Sequence, residues 1–526
     1  MEAIIPALAV LLGVYVAFKV LLYLLNVWAT AEYQRILQNP ATECDIDSFT
    51  NTPVSALKVV LAHKFRLGNR VAKLDPIPLE TFESPHMPGL RVARKAGTNK
   101  NDNAKDVQPL EQTLNSSRDL PIVICTIRMG FGHHRIAYAA CSWALQTGRP
   151  TIFHDLLNIE SEEANLIKST DELYSRFSRY ASELGGPVEK LWGNAMLSGN
   201  ADALRIAALT AAHLQPLLLA YPKDTPIITS HQLCALVCSA IGFTNVVNLV
   251  VDNHAQWFLT VPQTLNLVQG PVNWLNFLRF GIEPNQLACA GHWSPADMVN
   301  NINKDCKARM ARRKADKPLR LLIPVGGAGA QRKFIVALIQ GLGPLVKEGR
   351  VQLLLNAGDH KHMKTAFLQA LDQAGLQFGE VNTTQGVYDM QAKLLRGHEP
   401  DHPVTLCSFT EYFPAVATTD ILSRVADVLT CKPSELAFAC VPKLPIRRVG
   451  DHEADSARRA AELGDGTLEA REVEDALAYI DLFLQSSLFM EMNESIMKQN
   501  SLKVYHGCQV AVEKVLQKGG ALGLSK

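Results

Sequence analysis

Beyond residue 119 the chain alternates short apolar runs with longer segments of helical periodicity, and this alternation constrains the fold more than any other feature. Strands that follow one another through helices form right-handed βαβ units, and therefore parallel sheets. A first series of predicted strands comprises the runs IVICT, TIFHDL, PIITSH, VNLVVD and LACAG. A second series comprises LRLLIPV, VQLLLNA, VTLCS, DVLTC and VPKLPI.

A charged stretch at residues 303–317 separates the two series. The predicted fold class is therefore α/β, with two Rossmann-like, doubly wound domains that face a cleft. We place the first domain at residues 119–310 and the second at residues 311–480, and we expect helices over residues 481–526. A hydrophobic share of 47% with 20% charged residues suits such a globular chain.

Net charge and cysteine usage argue against several other classes of protein. The formal net charge is +1, so the chain has no broad positive field and nucleic acid is not an expected partner. The eleven cysteines are scattered through apolar segments without a Cys-x-x-Cys pair. We therefore expect neither a disulfide framework nor a metal site.

The N-terminal segment Ile4–Ala29 is apolar except for Lys19 and is long enough to cross a bilayer as a helix. We predict a transmembrane anchor over residues 1–30; the alternative is a helix that lies in the membrane surface. Positive charges follow this segment, whereas only Glu2 precedes it. The positive-inside rule then predicts a single-pass anchor with the catalytic part in the cytoplasm.

The segment Leu57–Leu74 carries five Lys or Arg residues and no acid. Its apolar residues fall near one helical face, which predicts a basic amphipathic helix that could lie on an anionic membrane surface. The alternative is an ordinary helix with its apolar side on the core. Because residues 97–118 are polar, we interpret residues 31–118 as a basic juxtamembrane segment followed by a linker.

The stretch GFGHHRIA follows the first predicted strand and begins a helix. Gly130 and Gly132 allow the backbone to approach a ligand closely, at the strand end where open α/β sheets bind ligands. His133 should lie at the mouth of the helix, facing the cleft, and can accept a proton from a substrate hydroxyl. The next side chain, His134, is rotated by about 100° and should point elsewhere.

The first strand of the second series leads into a similar turn, PVGGAGAQRK. Gly326, Gly327 and Gly329 make it a small-residue turn before a helix, which suits a pyrophosphate group. It is not the nucleotide P-loop, because no Gly-Lys-Ser/Thr follows.

These segments resemble the glycosyltransferase family 28 group, which includes monogalactosyldiacylglycerol synthases and processive diacylglycerol glucosyltransferases. Gly-x-Gly-His-x-x-x-Ala at residues 130–137 resembles the first loop of that group. The stretches VVDNHAQWF, GIEPNQLACAGHWSP, PVGGAGA, ADVLTCKP and LPIRRVGDHEADSA match further family segments in order. The resemblance covers about residues 119–480.

The resemblance implies a GT-B fold that transfers a sugar, with inversion, from a nucleotide-sugar donor such as a UDP-sugar to a membrane lipid such as diacylglycerol. It implies no cofactor besides that donor and no tightly bound metal. The implied site residues are His133 and Asp252 for catalysis, Gly326, Gly327, Gly329, Lys432, Ser434, Glu435, His452 and Glu453 for the donor, and Gly130, Gly132 and His254 for the acceptor.

One departure from the family pattern affects the donor site. The position of the glutamate that holds the ribose diol in the family is occupied by Phe438, and Glu435 comes one helical turn earlier. A phenylalanine cannot accept hydrogen bonds from ribose hydroxyls. Glu435 could take over that role, the donor could differ, or donor binding could be lost. The rival interpretations are a catalytically degenerate membrane scaffold and a nucleotide-sugar epimerase or hydrolase.

Overall fold

The computed structural model describes residues 4–38, 54–68, 70–98, 104–116, 118–168, 201–326, 329, 331–450 and 453–517. Two sheets dominate these residues, one of nine strands and one of six. Each strand series that the alternation predicts lies in one of these sheets, so the prediction of two α/β domains is confirmed.

The first sheet has the strand order β3-β1-β2-β5-β4-β6-β7-β8-β9. Its strands are β1 Leu79–Glu83, β2 Leu90–Lys95, β3 Gln108–Pro109, β4 Ile122–Thr126, β5 Thr151–Asp155, β6 Ile227–Thr229, β7 Val246–Leu249, β8 Leu265–Val268 and β9 Leu287–Cys289. The strands from β2 to β9 pair in parallel, whereas β1 pairs with β2 and β3 antiparallel. Residues of β4 are buried throughout, as expected for a strand covered on both faces.

The three strands β1 to β3 correct the prediction that residues 31–118 are only a juxtamembrane segment and a linker. They extend the first sheet by an antiparallel edge that joins the parallel part through β2 and β5. The segment LETFE alternates buried and partly exposed positions, as a strand at the side of a sheet does. The first domain therefore begins about forty residues before the predicted boundary, since β1 starts at Leu79.

The second sheet is parallel throughout and has the order β12-β13-β11-β10-β14-β15. Its strands are β10 Leu319–Pro324, β11 Val351–Asn356, β12 Phe378–Val381, β13 Val404–Cys407, β14 Val428–Cys431 and β15 Lys443–Pro445. All six residues of β10 and of β11 are buried. This sheet and its helices form the second Rossmann-like domain.

The helices of the described residues are α1 Ile4–Leu37, α2 Ala56–Leu67, α3 Leu110–Leu114, α4 Gly132–Leu145, α5 Ala201–Ala212, α6 Gln232–Ile241, α7 Pro271–Arg279, α8 Ala296–Asn300, α9 Ile302–Lys314, α10 Arg332–Lys347, α11 Lys361–Gln373, α12 Thr384–Leu395, α13 Tyr412–Ser423, α14 Ala454–Leu463, α15 Val473–Gln485, α16 Leu488–Ser501 and α17 Gly507–Leu516. A 3₁₀ turn, Pro433–Phe438, follows β14.

In each sheet the order in which successive strands are added reverses at one central strand. In the first sheet β4 lies between β5 and β6, and in the second sheet β10 lies between β11 and β14. Ligands of open α/β sheets bind outside the carboxyl ends of strands at such switch points. The two glycine turns, which follow β4 and β10, lie at these two positions.

The chain crosses between the domains twice. It leaves the first domain after β9, and it returns through α17, whose Cys508, Ala511 and Val512 share one buried apolar cluster with Ile124 of β4. The two crossings touch, since the N–H of His292 donates to the carbonyl of Val504 over 2.7 Å. The boundary predicted at residue 310 falls inside α9, which already contacts the second domain.

That contact is made by Arg309, which donates from Nε to the carbonyl of Ala426 and from Nη2 to the carbonyl of Ser423, both over 2.8 Å. The second domain therefore takes in α9 as a whole.

Helix α1 is long and apolar enough, over Leu12–Leu37, to cross a membrane, and within the described residues it is the only such helix. Its C-terminal part packs on the first domain, where Tyr33 joins Val59, Val60 and Leu209 in a small buried cluster. The predicted anchor therefore continues beyond Ala29 as a helix that contacts the folded body.

Helix α2 is shorter than the predicted Leu57–Leu74, because it ends at Leu67 and Gly68 follows with φ +59°. Val59 and Val60 are buried against the first domain, in agreement with the alternative of an ordinary core-packed helix. A different face, with Leu61 and Phe65, stays exposed; Phe65 is 86% exposed.

Candidate functional site

The candidate base His133 lies in the first turn of α4, directly after the glycine turn of the first domain. Gly130 in that turn has φ +68°, which favours glycine. The His133 ring donates from Nδ1 to the carbonyl of Ser230 over 2.6 Å, because a carbonyl can only accept. In the neutral ring Nε2 then carries the lone pair, so the hydrogen bond fixes which nitrogen can accept a proton.

The surroundings of His133 favour its neutral form. Burial lowers its pKa below the ordinary value, an effect opposed by the hydrogen bond to Ser230 and by the charge of Asp252. The His231 ring lies with its centroid 4.3 Å from that of His133. Nδ1 of His231 accepts from the Leu233 N–H, which caps α6, and burial lowers the pKa of His231 well below its ordinary value. The lowered pKa of His133 thus favours a neutral ring near neutral pH.

His134 has a different environment, since only 3% of it is exposed. Its Nε2 lies 3.3 Å from Oδ2 of the buried Asp155, and its ring packs edge-on against Tyr138, Phe153 and Tyr412. The two neighbouring histidines thus divide as the helical rotation predicts: His133 is half-buried beside Asp252, and His134 is part of the packed interior.

The second glycine turn follows β10 and leads into α10. The N–H of Gly329 donates to the carbonyl of Gly326 over 2.9 Å, and Gly329 has φ +62°. His360 and His362 lie against the turn, with Nε2 atoms 3.2 Å and 3.1 Å from the carbonyls of Gly326 and Gly329. Gly327 lies outside the described residues.

Lys432 also lies on this turn, because a Cβ at Gly326 would come within 2.7 Å of Lys432 Cε. Its Nζ lies 3.1 Å from Glu453 Oε1 and donates to Ser434 Oγ over 2.5 Å. The second oxygen of Glu453 accepts the Val449 N–H over 2.9 Å. The structure thus brings together four predicted donor residues, Gly326, Lys432, Ser434 and Glu453, while His452 lies outside the described residues.

Glu435 is held by the other domain. Arg135 of α4 donates from Nη1 to Glu435 Oε2 and from Nη2 to Asp420 Oδ1, both over 2.6 Å. The guanidinium lies 4.4 Å from the centre of the Phe438 ring. We call Arg135, Asp420, Glu435 and Phe438 the Arg135 cluster.

The Arg135 cluster changes the expectation for Glu435. Arg135 occupies Oε2 of Glu435, so only Oε1, which faces the Gly326 turn, could accept from a ribose hydroxyl while the ion pair stays intact. The role of Glu435 in donor binding stays a prediction, and the alternatives that the departure leaves open stay with it.

The glycine turn of the first domain contacts loops of the second domain that flank the second glycine turn. His360, whose Nε2 lies 3.2 Å from the Gly326 carbonyl, has its ring centroid 5.5 Å from that of Phe131. A Cβ at Gly132 would lie 3.7 Å from Phe438, and a Cβ at Gly358 would lie 3.0 Å from Phe131, the residue between the first pair of glycines. Tyr412 of the second domain donates from its hydroxyl to the carbonyl of Gly130 over 3.0 Å. The predicted acceptor-side glycines therefore contact the donor-side loops directly.

His254, the third predicted acceptor residue, lies at another part of the interface. Its Nδ1 is 2.7 Å from Asp455 Oδ2 in α14. The adjacent Asn253 donates to Ser456 Oγ over 3.2 Å. His254 is thus an interdomain contact, whereas Asp252 is the residue of this loop whose charge acts on His133.

Sequence reasoning missed Arg135, Asp420, His360, His362 and Tyr412 as residues of the interface. The segment NAGDHKH after β11 carried a usable signal, since two histidines and a glycine follow a buried strand next to the switch strand. Arg135 carried none, because its partners are 285 and 300 residues away in the chain. Among the described residues no group of three or more His, Cys, Asp or Glu residues is arranged to hold a metal ion.

Two doubly wound domains with facing switch points define the GT-B type of architecture. Two family models match the chain, each with the description "Domain of unknown function": DUF6937 over residues 89–278 and DUF6938 over residues 282–516. The two matches meet between α7 and β9. No curated protein matches the chain.

Solved structures similar to the chain include a UDP-GlcNAc 2-epimerase from Neisseria meningitidis bound to UDP-GlcNAc, at 11% identity and a TM-score of 0.45 over 76% of this chain and 100% of that one. The S. aureus MnaA–UDP structure matches at 11% identity and a TM-score of 0.42, over 76% and 95%. A trehalose-6-phosphate structure from E. coli bound with UDP-2-fluoro glucose matches at 12% identity and 0.36, over 76% and 99%. The narrower resemblance to the family 28 group stays a prediction.

Proposed function

We propose that this protein is a membrane-anchored glycosyltransferase that moves a sugar from a UDP-sugar to the hydroxyl of a lipid such as diacylglycerol. The observation that carries the proposal is the contact of the first glycine turn with the loops that flank the second, each turn lying at the switch point of its sheet, with a neutral histidine at the mouth of the first. The proposal needs no cofactor besides the nucleotide sugar.

The donor diphosphate would bind at the second turn. Helix α10 begins just after it, and the N-terminus of a 16-residue helix presents unpaired N–H groups and a partial positive charge. Lys432 adds an ammonium group beside the same turn, while His360 and His362 hold the turn by hydrogen bonds to the Gly326 and Gly329 carbonyls. A doubly charged diphosphate is the ligand that such a set of donors favours.

The acceptor hydroxyl would approach from the first domain. His133 Nε2 takes its proton as the oxygen forms a bond to the anomeric carbon. The bond from that carbon to the diphosphate oxygen breaks, and the electron pair leaves with the nucleoside diphosphate. Amides at the Gly326 turn would stabilise the charge that develops there, and Asp252 would stabilise the imidazolium.

The membrane part of the proposal rests on α1 and α2. The exposed face of α2 and the residues after it combine large apolar side chains with basic ones: Leu61, Phe65, Val71 and Leu74 with Lys58, Arg66, Arg70 and Lys73. Apolar residues that enter the headgroup region beside Lys and Arg bind anionic leaflets. Since α2 packs on α1 through Val59, Val60 and Tyr33, an anchored α1 would keep the exposed face of α2 near the surface from which a lipid acceptor comes.

Isothermal titration with UDP tests the donor site in full-length protein held in detergent. We expect Gly326→Ala to weaken UDP binding at least about tenfold, or 1.4 kcal/mol, because the new Cβ would meet Lys432 Cε at 2.7 Å and Glu435 Oε1 at 3.1 Å. Gly343→Ala in α10 is the matched control, since its Cβ would lie 3.6 Å from Ala374, an ordinary contact. Equal binding by both variants would contradict the placement of the diphosphate.

Incubation with labelled UDP-sugars and total membrane lipid tests the reaction. Label in the lipid phase supports transfer. Release of free sugar, or epimerisation of the nucleotide sugar without lipid, would instead support the hydrolase or epimerase interpretation.

One observation favours a second candidate function, a catalytically degenerate membrane scaffold. The carboxylates of Glu435 and Glu453 are buried and bound by Arg135, Lys432 and the Val449 N–H, all of them protein groups. A wild-type protein that binds neither UDP nor a UDP-sugar would support this candidate over the enzyme.

A further inference from the structure

The Arg135 cluster is a buried charged contact between the two domains. The Arg135 side chain is 2% exposed and belongs to α4 of the first domain. Its two acid partners belong to the second domain, Asp420 to α13 and Glu435 to the 3₁₀ turn after β14. Lys432 lies 4.0 Å from Glu435 Oε1, so positive charge from the second domain also faces this carboxylate.

A buried arginine with two carboxylates contributes more to orientation than to net stability. Desolvation offsets most of the attraction, whereas loss of one partner leaves a charge buried without compensation. The guanidinium is planar and forks to two acids while stacking on the Phe438 ring, so few relative positions of the domains satisfy all three contacts. The cluster therefore selects one closed arrangement.

This arrangement places the two candidate half-sites against each other. Arg135 follows His133 by two residues on the same helix. Its partner Glu435 reaches the donor turn, because Oε1 would lie 3.1 Å from a Cβ at Gly326. A displacement of the Arg135 cluster would thus move the base and the diphosphate turn relative to one another.

We propose that Arg135 is a positioning residue, which fixes the closure of the two domains and so the alignment of His133 with the sugar bound at the Gly326 turn. The kinetic part of this inference rests on the proposed function, whereas the closure itself does not. Arg135 contacts neither the donor nor the acceptor in this scheme; it acts through Glu435 and Asp420.

Pulsed electron–electron double resonance measures the distance between two spin labels, one in each domain, and so reports the closure directly. Gln146 at the end of α4 and Asp372 in α11 are exposed and suit the labels, as cysteine variants. Serine replaces Cys44 and the exposed Cys289 beforehand. We expect a single narrow distance in the parent protein and a broader, longer distribution in Arg135→Met.

A triple variant, Arg135→Met with Asp420→Asn and Glu435→Gln, keeps the test valid if the single variant folds poorly. It removes the cluster without leaving carboxylates buried and unpaired, so its fold should persist while the distance still broadens. Arg94→Met is the control, since Arg94 pairs with Glu80 over 2.7 Å between two strands of the first sheet. Unchanged distances in the single and triple variants would overturn the inference.

Steady-state kinetics with the UDP-sugar supply the second measurement. Misalignment of reacting groups by about 1 Å can cost 10²-fold in rate, so Arg135→Met should lower kcat by that order and leave the donor KM within a few-fold. Arg135→Lys, which keeps the charge, should restore part of kcat and of the narrow distance. A loss confined to donor KM would refute the positioning role, whereas absence of any UDP binding in the wild type would refute the proposed function and leave the distance result standing.

Discussion

His133 and His134 are adjacent in sequence, and the structure predicts opposite consequences when each is replaced by alanine. His133 is half-buried and its ring makes one hydrogen bond, to the Ser230 carbonyl. Loss of one such bond costs about 0.5–1.5 kcal/mol of stability. Loss of a general base costs about 10²–10⁴ in rate. His133→Ala should therefore remain folded and lose nearly all transfer activity.

His134→Ala should show the reverse. Its ring is 3% exposed among three aromatic side chains, and its Nε2 faces the buried Asp155. A large-to-small change in such a core costs about 2–5 kcal/mol. We expect a lower Tm by calorimetry, together with a kcat/KM near that of the wild type at temperatures where the variant is folded.

The pH dependence provides an independent measurement of the same base. Because burial lowers the pKa of His133, kcat/KM should stay constant down to a pH below the ordinary histidine value of about 6.5. It should then fall as the ring becomes protonated, and this limb should disappear from the residual activity of His133→Ala. Equal activity losses in the two alanine variants, or full activity in His133→Ala, would refute the assignment.

Three further predictions concern the membrane, the donor carboxylate and acid stability. Full-length protein should stay in the membrane fraction through an alkaline carbonate wash, and deletion of residues 1–30 should release it; full-length protein in the carbonate supernatant would contradict a spanning anchor. In the truncated form, Phe65→Ser should weaken the remaining, salt-sensitive binding to anionic vesicles. Glu453→Ala should lower the free energy of unfolding in urea by about 3–5 kcal/mol, since it removes one of the buried partners of the Lys432 ammonium; a normal stability with lost UDP binding would show instead that the carboxylate binds the donor. Burial lowers the pKa of His154 to about 4, so the unfolded state binds the extra proton first and about 3 kcal/mol of stability is lost as the pH falls from about 6.5 to 4; His154→Gln should flatten the Tm profile over that range, and an unchanged slope would refute this source.

Most strands that are buried on both faces were predictable from the sequence, although β8, LNLV, is buried at all four positions and was missed. Runs such as IVICT and LRLLIPV are almost wholly apolar and do not alternate with polar residues, so their composition alone indicates central strands. The edge strand β12, FGEV, was not predictable, because its four residues are all at least partly exposed and resemble loop. The strands β1 to β3 were missed for the same reason, because most of their positions are at least partly exposed.

The candidate site likewise has parts that the sequence predicted and parts that it did not. The glycine turns were predictable, since a strand followed by glycines and a helix is a local pattern that only a few geometries satisfy. The partners of those turns were not, because they depend on how one domain lies on the other. Glu435 illustrates the difference: its spacing suggested a ribose ligand, and its partner proved to be an arginine 300 residues earlier.

The return of α17 to the first domain affects the order in which a growing chain can fold. Synthesis proceeds from the N-terminus, and domains usually fold as they emerge. Here the first domain has all nine strands of its sheet once Cys289 is made, yet the helix that packs on α4, β6 and β7 ends only at Leu516. During the synthesis of the intervening residues the first domain carries an uncovered apolar face, in a chain that also exposes the apolar helix α1. The second domain, which is continuous in the chain, can fold first, and α17 then packs on the first domain.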